Sequence, residues 1–263
     1  FVIKFFHNEK TNKDRVDRAK ILKDIVPEIL ASSENFYKYK KNKSNLLSHT
    51  VTEKSFAKLL EWASTTLWEF DNTESIKKQC KSFYIDKTND RVKKILDNKE
   101  DTYCDINGET IPPIDRLLSN IDQDWLCSGK KSPFHGDFIL DNILYDGDNF
   151  CLIDWRQNFA GQLEYGDIYY DLAKLNHNLT VNHSIVDKGL FNHSTKDCHI
   201  LCHTTLLRCK CILKEFILKK GLDFKKVEIL TSLIWINMSP LHSYPFSEFL
   251  FNFGKLNLYK LLK

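Results

Sequence analysis

The sequence predicts an α+β fold in which a few short strands accompany a mostly helical chain. Phe1–Phe6 is an apolar segment with a single lysine, and Asn35–Tyr39 alternates in polarity as a half-buried strand does. Farther along, Ile143–Tyr145 and Phe150–Ile153 flank Asp146–Asn149, a turn sequence of aspartate, glycine and asparagine. These patterns predict strands near the N-terminus and a separate hairpin in the middle of the chain.

Most other segments have the periodicity of helices. Lys13–Ile25 is predicted to be a helix that stops before Pro27, because a residue preceding proline disfavours helical backbone. Lys40–Leu47 is a polar connector, and Ser55–Phe70 carries apolar residues at 56, 59, 60, 63 and 67, along one helical face. Further helices are predicted at Arg91–Leu96 and Ile114–Leu126, and near 167–178, 199–220, 224–236 and 246–262.

Composition and charge exclude several classes of protein. A chain of 263 residues with 42% hydrophobic content has ample core for a globular domain. The net charge of +3 is spread out, and the basic runs Lys38–Lys43 and Lys77–Lys81 are short, so solvated faces explain them better than nucleic-acid binding. No apolar stretch approaches the roughly 20 residues that span a bilayer, and no signal peptide is visible. We expect a cytoplasmic protein without nucleic-acid or membrane partners.

The eight cysteines lack the spacing of a disulfide scaffold, so we interpret them as reduced thiols. The cysteines and histidines of Cys198–Cys211 offer a zinc site as an alternative. That segment, however, is predicted to continue as a helix to Lys220 with core-like apolar spacing. Buried thiols in a helix are common, and this interpretation is favoured over zinc.

The most informative motif is a loop with a histidine, an aspartate and an asparagine at fixed spacing, followed by an aspartate at the end of a strand. The loop runs from Phe134 to Asn142 and contains His135 and Asp137; Asp154 follows Asn142 by twelve residues. Phosphoryl transfer to an alcohol needs a carboxylate that accepts the hydroxyl proton, plus an amide and a carboxylate that hold Mg²⁺. Asp137 is thus the candidate base, and Asn142 and Asp154 are the candidate metal ligands. Turn chemistry explains any one of these residues, but not all of them together in this order.

This pattern resembles the aminoglycoside phosphotransferase and choline kinase superfamily, which are small-molecule relatives of the protein kinases. The match includes His-Gly-Asp-x4-Asn, Ile-Asp-Trp and the segment Gly166–Ala173, in which Asp167 is also a good helix cap. The resemblance implies a protein-kinase-like two-lobed fold with a truncated N-terminal lobe and a mostly helical C-terminal lobe. The lobes would comprise residues 1–47, with the hinge, and residues 48–263. It also implies that His135 fixes the loop and that Asp171 buttresses it.

The resemblance further implies a bound nucleotide, ATP or GTP, with Mg²⁺. Lys4 would contact the α- and β-phosphates, and the hinge that begins at Tyr39 and Lys40 would receive the base. A helix glutamate pairs with this lysine in the family, but Arg18 stands where we would look for it. No glycine-rich loop precedes Lys4, so we expect a first hairpin to be missing and the exposed strand to favour self-association.

The acceptor is a small molecule whose identity the sequence leaves open. The candidate contacts follow Asp154 or lie in the last helices: Trp155, Arg156, Gln157, Gln162, Glu164, Tyr165, Trp235, His242 and Tyr244. Aromatic groups with one acid suit choline, whereas arginine and glutamine suit a sugar or glycan precursor, which we favour. The competing hypothesis is a non-catalytic kinase-like nucleotide-binding or interaction domain. The combination of Asp137, Asn142 and Asp154 favours an enzyme.

Overall fold

The computed structural model describes residues 1–69, 74–97, 100–194 and 197–263. The strands are β1 Val2–Phe5, β2 Ile29–Ser32, β3 Phe36–Tyr39, β4 Asn45–Leu46, β5 Cys104–Ile106, β6 Glu109–Ile111, β7 Lys131–Ser132, β8 Ile143–Tyr145, β9 Phe150–Leu152, β10 Gly166–Asp167, β11 Phe191–His193 and β12 Cys198–Ile200. The helices are α1 Glu9–Ile21, α2 Leu47–Thr50, α3 Glu53–Thr66, α4 Lys77–Cys80, α5 Lys87–Leu96, α6 Ile114–Ser119, α7 Gln123–Leu126, α8 Ile168–Asn178, α9 His183–Val186, α10 Thr204–Lys219, α11 Phe224–Met238 and α12 Phe246–Leu262.

The N-terminal part is a small antiparallel sheet with one helix. Its strand order is β1-β3-β2, and α1 packs against β2 and β3. Tyr37 and Tyr39 of β3 are buried between the sheet and the rest of the chain, whereas Ile3 and Phe5 of the edge strand β1 are exposed. This part therefore has one face in the core and one apolar face in solvent.

Short strands connect this sheet to the helical part and frame the loop that carries the motif. The strand β4, which follows the hinge, pairs with β8, and β8 pairs with β9 in the predicted hairpin. Strands β7 and β10 pair at Ser132 and Gly166, so the two ends of the 133–165 segment lie side by side. The helical part packs chiefly through α8, α11 and α12. Within the described ranges, no helix combines the length and the apolar composition needed to cross a bilayer.

Several predicted boundaries were wrong because local side-chain caps override apolar periodicity. Helix α1 starts at Glu9 instead of Lys13, since the side chain of Asn8 accepts a hydrogen bond from the Thr11 amide at 2.9 Å. The single helix predicted at 114–126 is two helices, because Asp122 caps the second one. Residue 70, at the end of the predicted third helix, lies outside the described residues.

The predicted helix at 199–220 begins only at Thr204, and the preceding strand β12 pairs with β11. Cys198 lies in that strand, so the cysteines and histidines of 198–211 do not share one helix. The described residues contain no metal-binding group of three or more such side chains. All eight cysteines are free thiols.

Helices α11 and α12 approach each other closely at Gly254. A Cβ added there would lie 2.6 Å from the side chain of Ile236 and 3.0 Å from the carbonyl oxygen of Ser232. Gly254→Ala should therefore lower the free energy of unfolding by about 1–3 kcal/mol, because the backbones have to move apart. Lys260→Ala, on an exposed position of the same helix, is the control and should be nearly neutral. Thermal unfolding measures both, and equal melting temperatures would contradict this account of the interface.

Candidate active site

The loop between Phe134 and Asn142 is fixed through its main chain by a buried carboxylate. Asp171, in the first turns of α8, accepts hydrogen bonds from the amides of His135 at 2.7 Å and Gly136 at 2.6 Å. The indole of Trp68 donates a third bond at 3.2 Å. Burial raises the pKa of Asp171 to about 6, and the two amide bonds oppose that rise. Asp171 therefore contacts the main chain of the loop that it was expected to support.

Gly136 is the residue at which the loop turns. Its φ is +84°, and an added Cβ would lie 2.5 Å from the Cβ of Arg156 and 2.9 Å from the ring of Phe134. Both the backbone conformation and the close approach therefore require glycine at this position.

The imidazole of His135 joins the loop to the end of the hairpin. Its Nε2 lies 2.9 Å from the carbonyl oxygen of Ile153, and its Nδ1 accepts the amide of Asp137 at 3.2 Å. The ring is fully buried, and burial lowers its pKa to about 4, so it is neutral at physiological pH. In the tautomer that these bonds require, Nε2 carries the proton. The ring thus joins the loop to the residue before Asp154 through two hydrogen bonds, and its positioning role stays a prediction.

Asp137 lies between an amide and an ammonium group. Asn142 donates from Nδ2 to both the side-chain oxygen and the carbonyl oxygen of Asp137, each at 2.9 Å. The Nζ of Lys174, on α8, lies 2.7 Å from the other carboxylate oxygen. Burial alone would raise the pKa of Asp137, but the ion pair with Lys174 outweighs it and lowers the pKa to about 2. The carboxylate is therefore ionised at physiological pH.

Asp154 lies beside Asn142 at the end of β9. The amide of Ile153 donates to the carbonyl oxygen of Asn142 at 2.9 Å, which places the two predicted metal ligands on adjacent backbones. Asp154 has a φ of +59°, a left-handed conformation that aspartate tolerates better than most residues. Its carboxylate contacts the Nζ of Lys4 at 2.6 Å. Because the amide nitrogen of Asn142 is engaged by Asp137, its oxygen is the group left for a cation.

The partner of Lys4 is thus Asp154 and not an acid on α1. Asp14 is bonded to Lys10 and Asn158, and Asp17 pairs with Lys13 and Lys20.

Arg18 of α1 holds the loop from the side opposite Asp171. Its guanidinium is fully buried and donates to the carbonyl oxygens of Leu163 at 2.9 Å and His135 at 3.4 Å, and also to those of Phe134 and Arg156. It also lies 3.9 Å from the centroid of the Phe134 ring. Burial lowers the pKa of Arg18 to about 9, which leaves it charged at neutral pH. The sequence analysis noted Arg18 only because it stands where a glutamate was expected. It missed the hydrogen bonds of Arg18 to the loop, since no pattern in the nearby sequence indicates them.

Tyr39 and Lys40, which the sequence analysis assigned to nucleotide binding, differ from each other in burial. The ring of Tyr39 is 4% exposed and stacks on Tyr37, so its side chain belongs to the core and only its main chain lies at the hinge. Lys40 is exposed.

The assignment of Trp155 to the acceptor is wrong, because it is a core residue. Its ring is fully buried, stacks on Tyr37 at 5.8 Å between centroids and donates to the carbonyl oxygen of Arg15 at 2.9 Å. Trp235 is also buried, at 3% exposure, whereas Tyr244 is 74% exposed. The local sequence places Trp155 next to the motif but does not define which way its ring points.

The cavity beside Asp137 is lined by other residues. Of the predicted acceptor contacts, Arg156 alone lines it among the described residues. Gln157, Gln162, Glu164, Tyr165 and His242 lie elsewhere; Gln162 is bonded through its main chain to Phe159, and the ring of His242 contacts Phe246. Lys87, Arg91 and Lys174, which the sequence did not single out, complete the polar wall of the cavity.

A protein-family model matches the middle of the chain. Residues 66–186 match the phosphotransferase enzyme family, and this range contains Asp137, Asn142 and Asp154. The resemblance predicted from the motifs is therefore confirmed. No curated protein sequence matches the chain.

Solved structures with a kinase-like fold are similar to the whole chain. A glucosamine kinase in complex with glucosamine, ADP and inorganic phosphate has a TM-score of 0.53 and 10% identity, covering 99% of this chain and 72% of the other. An ethanolamine kinase of Plasmodium vivax has a TM-score of 0.49 and 14% identity, with coverages of 98% and 74%. A choline kinase of Cryptosporidium parvum Iowa II has a TM-score of 0.46 and 16% identity, with coverages of 97% and 78%. The predicted α+β, protein-kinase-like fold is confirmed.

Replacement of Arg18 tests its contribution to the site. Arg18→Met should lower the free energy of unfolding by at least about 3 kcal/mol, because several carbonyl oxygens lose their donor and each buried unsatisfied group costs about 1–3 kcal/mol. Lys20→Met removes a cation from an exposed position of the same helix and is the control. Chemical denaturation measures both variants. A loss for Arg18→Met no larger than that of the control would contradict the role assigned to the buried guanidinium.

The neutral, buried His135 predicts a pH dependence of stability. The unfolded chain binds a proton on this ring near pH 6.5, whereas the folded chain binds it only near pH 4. The contribution of His135 to the free energy of unfolding is therefore fully present above about pH 7. It is lost as the pH falls from 6.5 towards 4, by up to about 3 kcal/mol. His135→Asn should flatten the plot of unfolding free energy against pH, and the exposed control His49→Asn should not. His177 is also buried with a lowered pKa, so a smaller slope should persist. An unchanged slope in His135→Asn would contradict the prediction.

Proposed function

We propose that this chain transfers a phosphoryl group from ATP or GTP to the hydroxyl group of a small polar alcohol. The observation that carries the proposal is the setting of Asp137. Its carboxylate is ionised, is bonded to Asn142 and Lys174, and lies on a loop whose main chain is held by Asp171 and Arg18. Phosphoryl transfer depends mainly on positioning and electrostatic stabilisation, and a rigid loop supplies the positioning.

In this proposal Asp137 accepts a hydrogen bond from the acceptor hydroxyl and orients its oxygen. A carboxylate with a pKa of about 2 is too weak a base to remove an alcohol proton beforehand. The proton therefore passes to Asp137 as the oxygen–phosphorus bond forms and the bond to the departing nucleoside diphosphate breaks. Lys174 keeps the carboxylate ionised until that point.

Asn142 and Asp154 would hold Mg²⁺. An amide oxygen and a carboxylate oxygen are hard donors that suit this ion, and the remaining ligands would come from phosphates and water. When bound, Mg²⁺ neutralises charge on the phosphates. Lys4, whose ammonium group already contacts Asp154, is within reach of an anion bound there. We further propose that residues 1–47 form the nucleotide lobe, with the main chain of the hinge at Tyr39 and Lys40 receiving the base, and that residues 48–263 form the catalytic lobe.

The alternative, a non-catalytic nucleotide-binding or interaction domain, predicts a different response to mutation. A domain of that kind has no need of an oriented carboxylate at Asp137. Separate measurements of nucleotide binding and of phosphoryl transfer therefore distinguish the two hypotheses.

The division of roles predicts that two conservative variants fail in different ways. Asp154→Asn should weaken the binding of MgADP at least about tenfold, because the metal loses a charged ligand. Asp137→Asn should bind MgADP within about threefold of the wild type, yet transfer phosphate at least about 10²-fold more slowly. Isothermal titration calorimetry measures binding. Transfer from ATP is measured with a panel of alcohols that includes neutral sugars, sugar phosphates and amino alcohols.

Asp148→Asn is the matched control, since this aspartate lies at the tip of the same hairpin with its side chain 92% exposed. Equal loss of MgADP binding in Asp137→Asn and Asp154→Asn would contradict the separate roles. Normal nucleotide binding without transfer to any alcohol in the panel, by wild type and variants alike, would favour the non-catalytic alternative.

A further inference from the structure

The cavity beside Asp137 has an unusual distribution of charge. Its volume is about 230 Å³, and it lies where α5, α8 and α11 meet Arg156. Lys174 connects it to the catalytic carboxylate, since its Nζ contacts Asp137 at 2.7 Å. Its basic groups come from Lys87, Arg91, Arg156 and Lys174, and its apolar wall is formed by residues of α11 such as Leu230, Leu233 and Ile234. Among the described residues that line the cavity, none is acidic.

Three of these four basic side chains have no anionic partner. Lys174 is neutralised by Asp137, but Lys87, Arg91 and Arg156 form no salt bridge with any residue in the described part of the chain. The Nε of Arg156 is buried and lacks an acceptor. Arg91 and Arg156 are therefore an excess of positive charge, to which Lys87 adds when it is protonated.

Two of these basic groups contact the same aromatic ring, and two lie on the same helix. The Nζ of Lys87 lies 4.3 Å from the centroid of the Phe83 ring, and the guanidinium carbon of Arg156 lies 4.7 Å from the same centroid. Lys87 and Arg91 are four residues apart on α5 and thus share one helical face. Burial, followed by the repulsion of Arg156 and Arg91, lowers the pKa of Lys87 to about 6, so in the empty site this amine is largely uncharged at neutral pH and takes up a proton when an anion binds beside it. An unpaired cluster of this kind destabilises the protein unless an anion binds to it.

We infer that the acceptor alcohol carries a phosphate group, which Lys87, Arg91 and Arg156 hold while the hydroxyl group of the same molecule reaches Asp137. This inference rests on the proposed function and defines its substrate class. A phosphate monoester carries between one and two negative charges at neutral pH and has three acceptor oxygens. It therefore matches two guanidinium forks and an amine that its charge protonates better than a carboxylate does, since a carboxylate has one charge and two oxygens.

The apolar wall has a complementary role. Leucine and isoleucine side chains of α11 offer no hydrogen-bonding groups, so they suit the carbon skeleton between the phosphate and the reacting hydroxyl. Cationic acceptors such as choline or ethanolamine are disfavoured, because their charge would be added to that of two unpaired guanidinium groups, whose repulsion already lowers the pKa of Lys87.

Matched pairs of probes test the inference directly. Each pair consists of a phosphate monoester and its neutral parent alcohol, such as glucose 6-phosphate with glucose and glycerol 3-phosphate with glycerol. Binding is measured by calorimetry with the full chain saturated with a non-hydrolysable ATP analogue and Mg²⁺, which keeps the probe out of the nucleotide's own phosphate site. At least one monoester should bind 10-fold or more tightly than its neutral partner. Choline and ethanolamine should bind no better than the neutral alcohols.

Variants of α5 locate the binding site of the phosphate. Lys87→Gln and Arg91→Gln should each weaken monoester binding by about 10- to 100-fold, since each removes a charge-assisted hydrogen bond. The affinity for the MgATP analogue should stay within about threefold of the wild-type value. Lys94→Gln, on an exposed position of the same helix, is the matched control and should change neither affinity.

Thermal stability distinguishes a binding site from a structural cluster. Lys87→Gln removes an amine that has to lose its proton when the chain folds at neutral pH, so it should raise the melting temperature of the ligand-free protein while it weakens monoester binding. A structural role for Lys87 predicts a lower melting temperature instead. The inference is overturned if no monoester binds more tightly than its neutral parent, or if Lys87→Gln and Arg91→Gln bind monoesters as the wild type does. Retained binding of the MgATP analogue in those cases would leave the proposed phosphotransferase function intact.

Discussion

The interaction on which the rest of the structure depends is the buried guanidinium of Arg18. One planar group on helix α1 donates to carbonyl oxygens at Phe134, His135, Arg156 and Leu163, which lie on both sides of the hairpin. The bonds to Phe134 and His135 are buried and those to Arg156 and Leu163 are partly buried, so these carbonyls would cost free energy without a donor, and a single side chain satisfies them together. Helix α1 is thereby attached to the loop and to the segment after the hairpin by hydrogen bonds to their backbone and not by side-chain packing alone.

Asp171 completes this arrangement from the other side of the loop. The loop amides point to a carboxylate on α8, and the loop carbonyls point to a guanidinium on α1. The proposed site residues Asp137, Asn142 and Asp154 therefore hold positions set by the backbone. Preorganisation of this kind is the main contribution that a protein makes to phosphoryl transfer.

The parts of the fold and site that could be predicted are those encoded locally. The spacing of Asp137, Asn142 and Asp154 and the hairpin between them are visible within 21 residues, and the structure brings these groups together. Arg18 and its carbonyl partners are separated by 116–145 residues, so no window of sequence shows their contact. Trp155 was wrongly assigned for a related reason. The sequence places Trp155 next to Asp154. Whether its ring is buried, however, depends on α1 and β3, which are distant in the sequence.

The most direct test of the central claim is a crystal structure of the chain with Mg²⁺ and a non-hydrolysable ATP analogue. The account predicts that the backbone of residues 134–142 superposes within about 1 Å on the structure described above, as in other preorganised sites. Asn142 and Asp154 should each place one oxygen about 2.0–2.1 Å from Mg²⁺, while Asp137 makes no contact with the metal. A loop that rearranges when nucleotide binds, or a metal held without Asp154, would contradict the account.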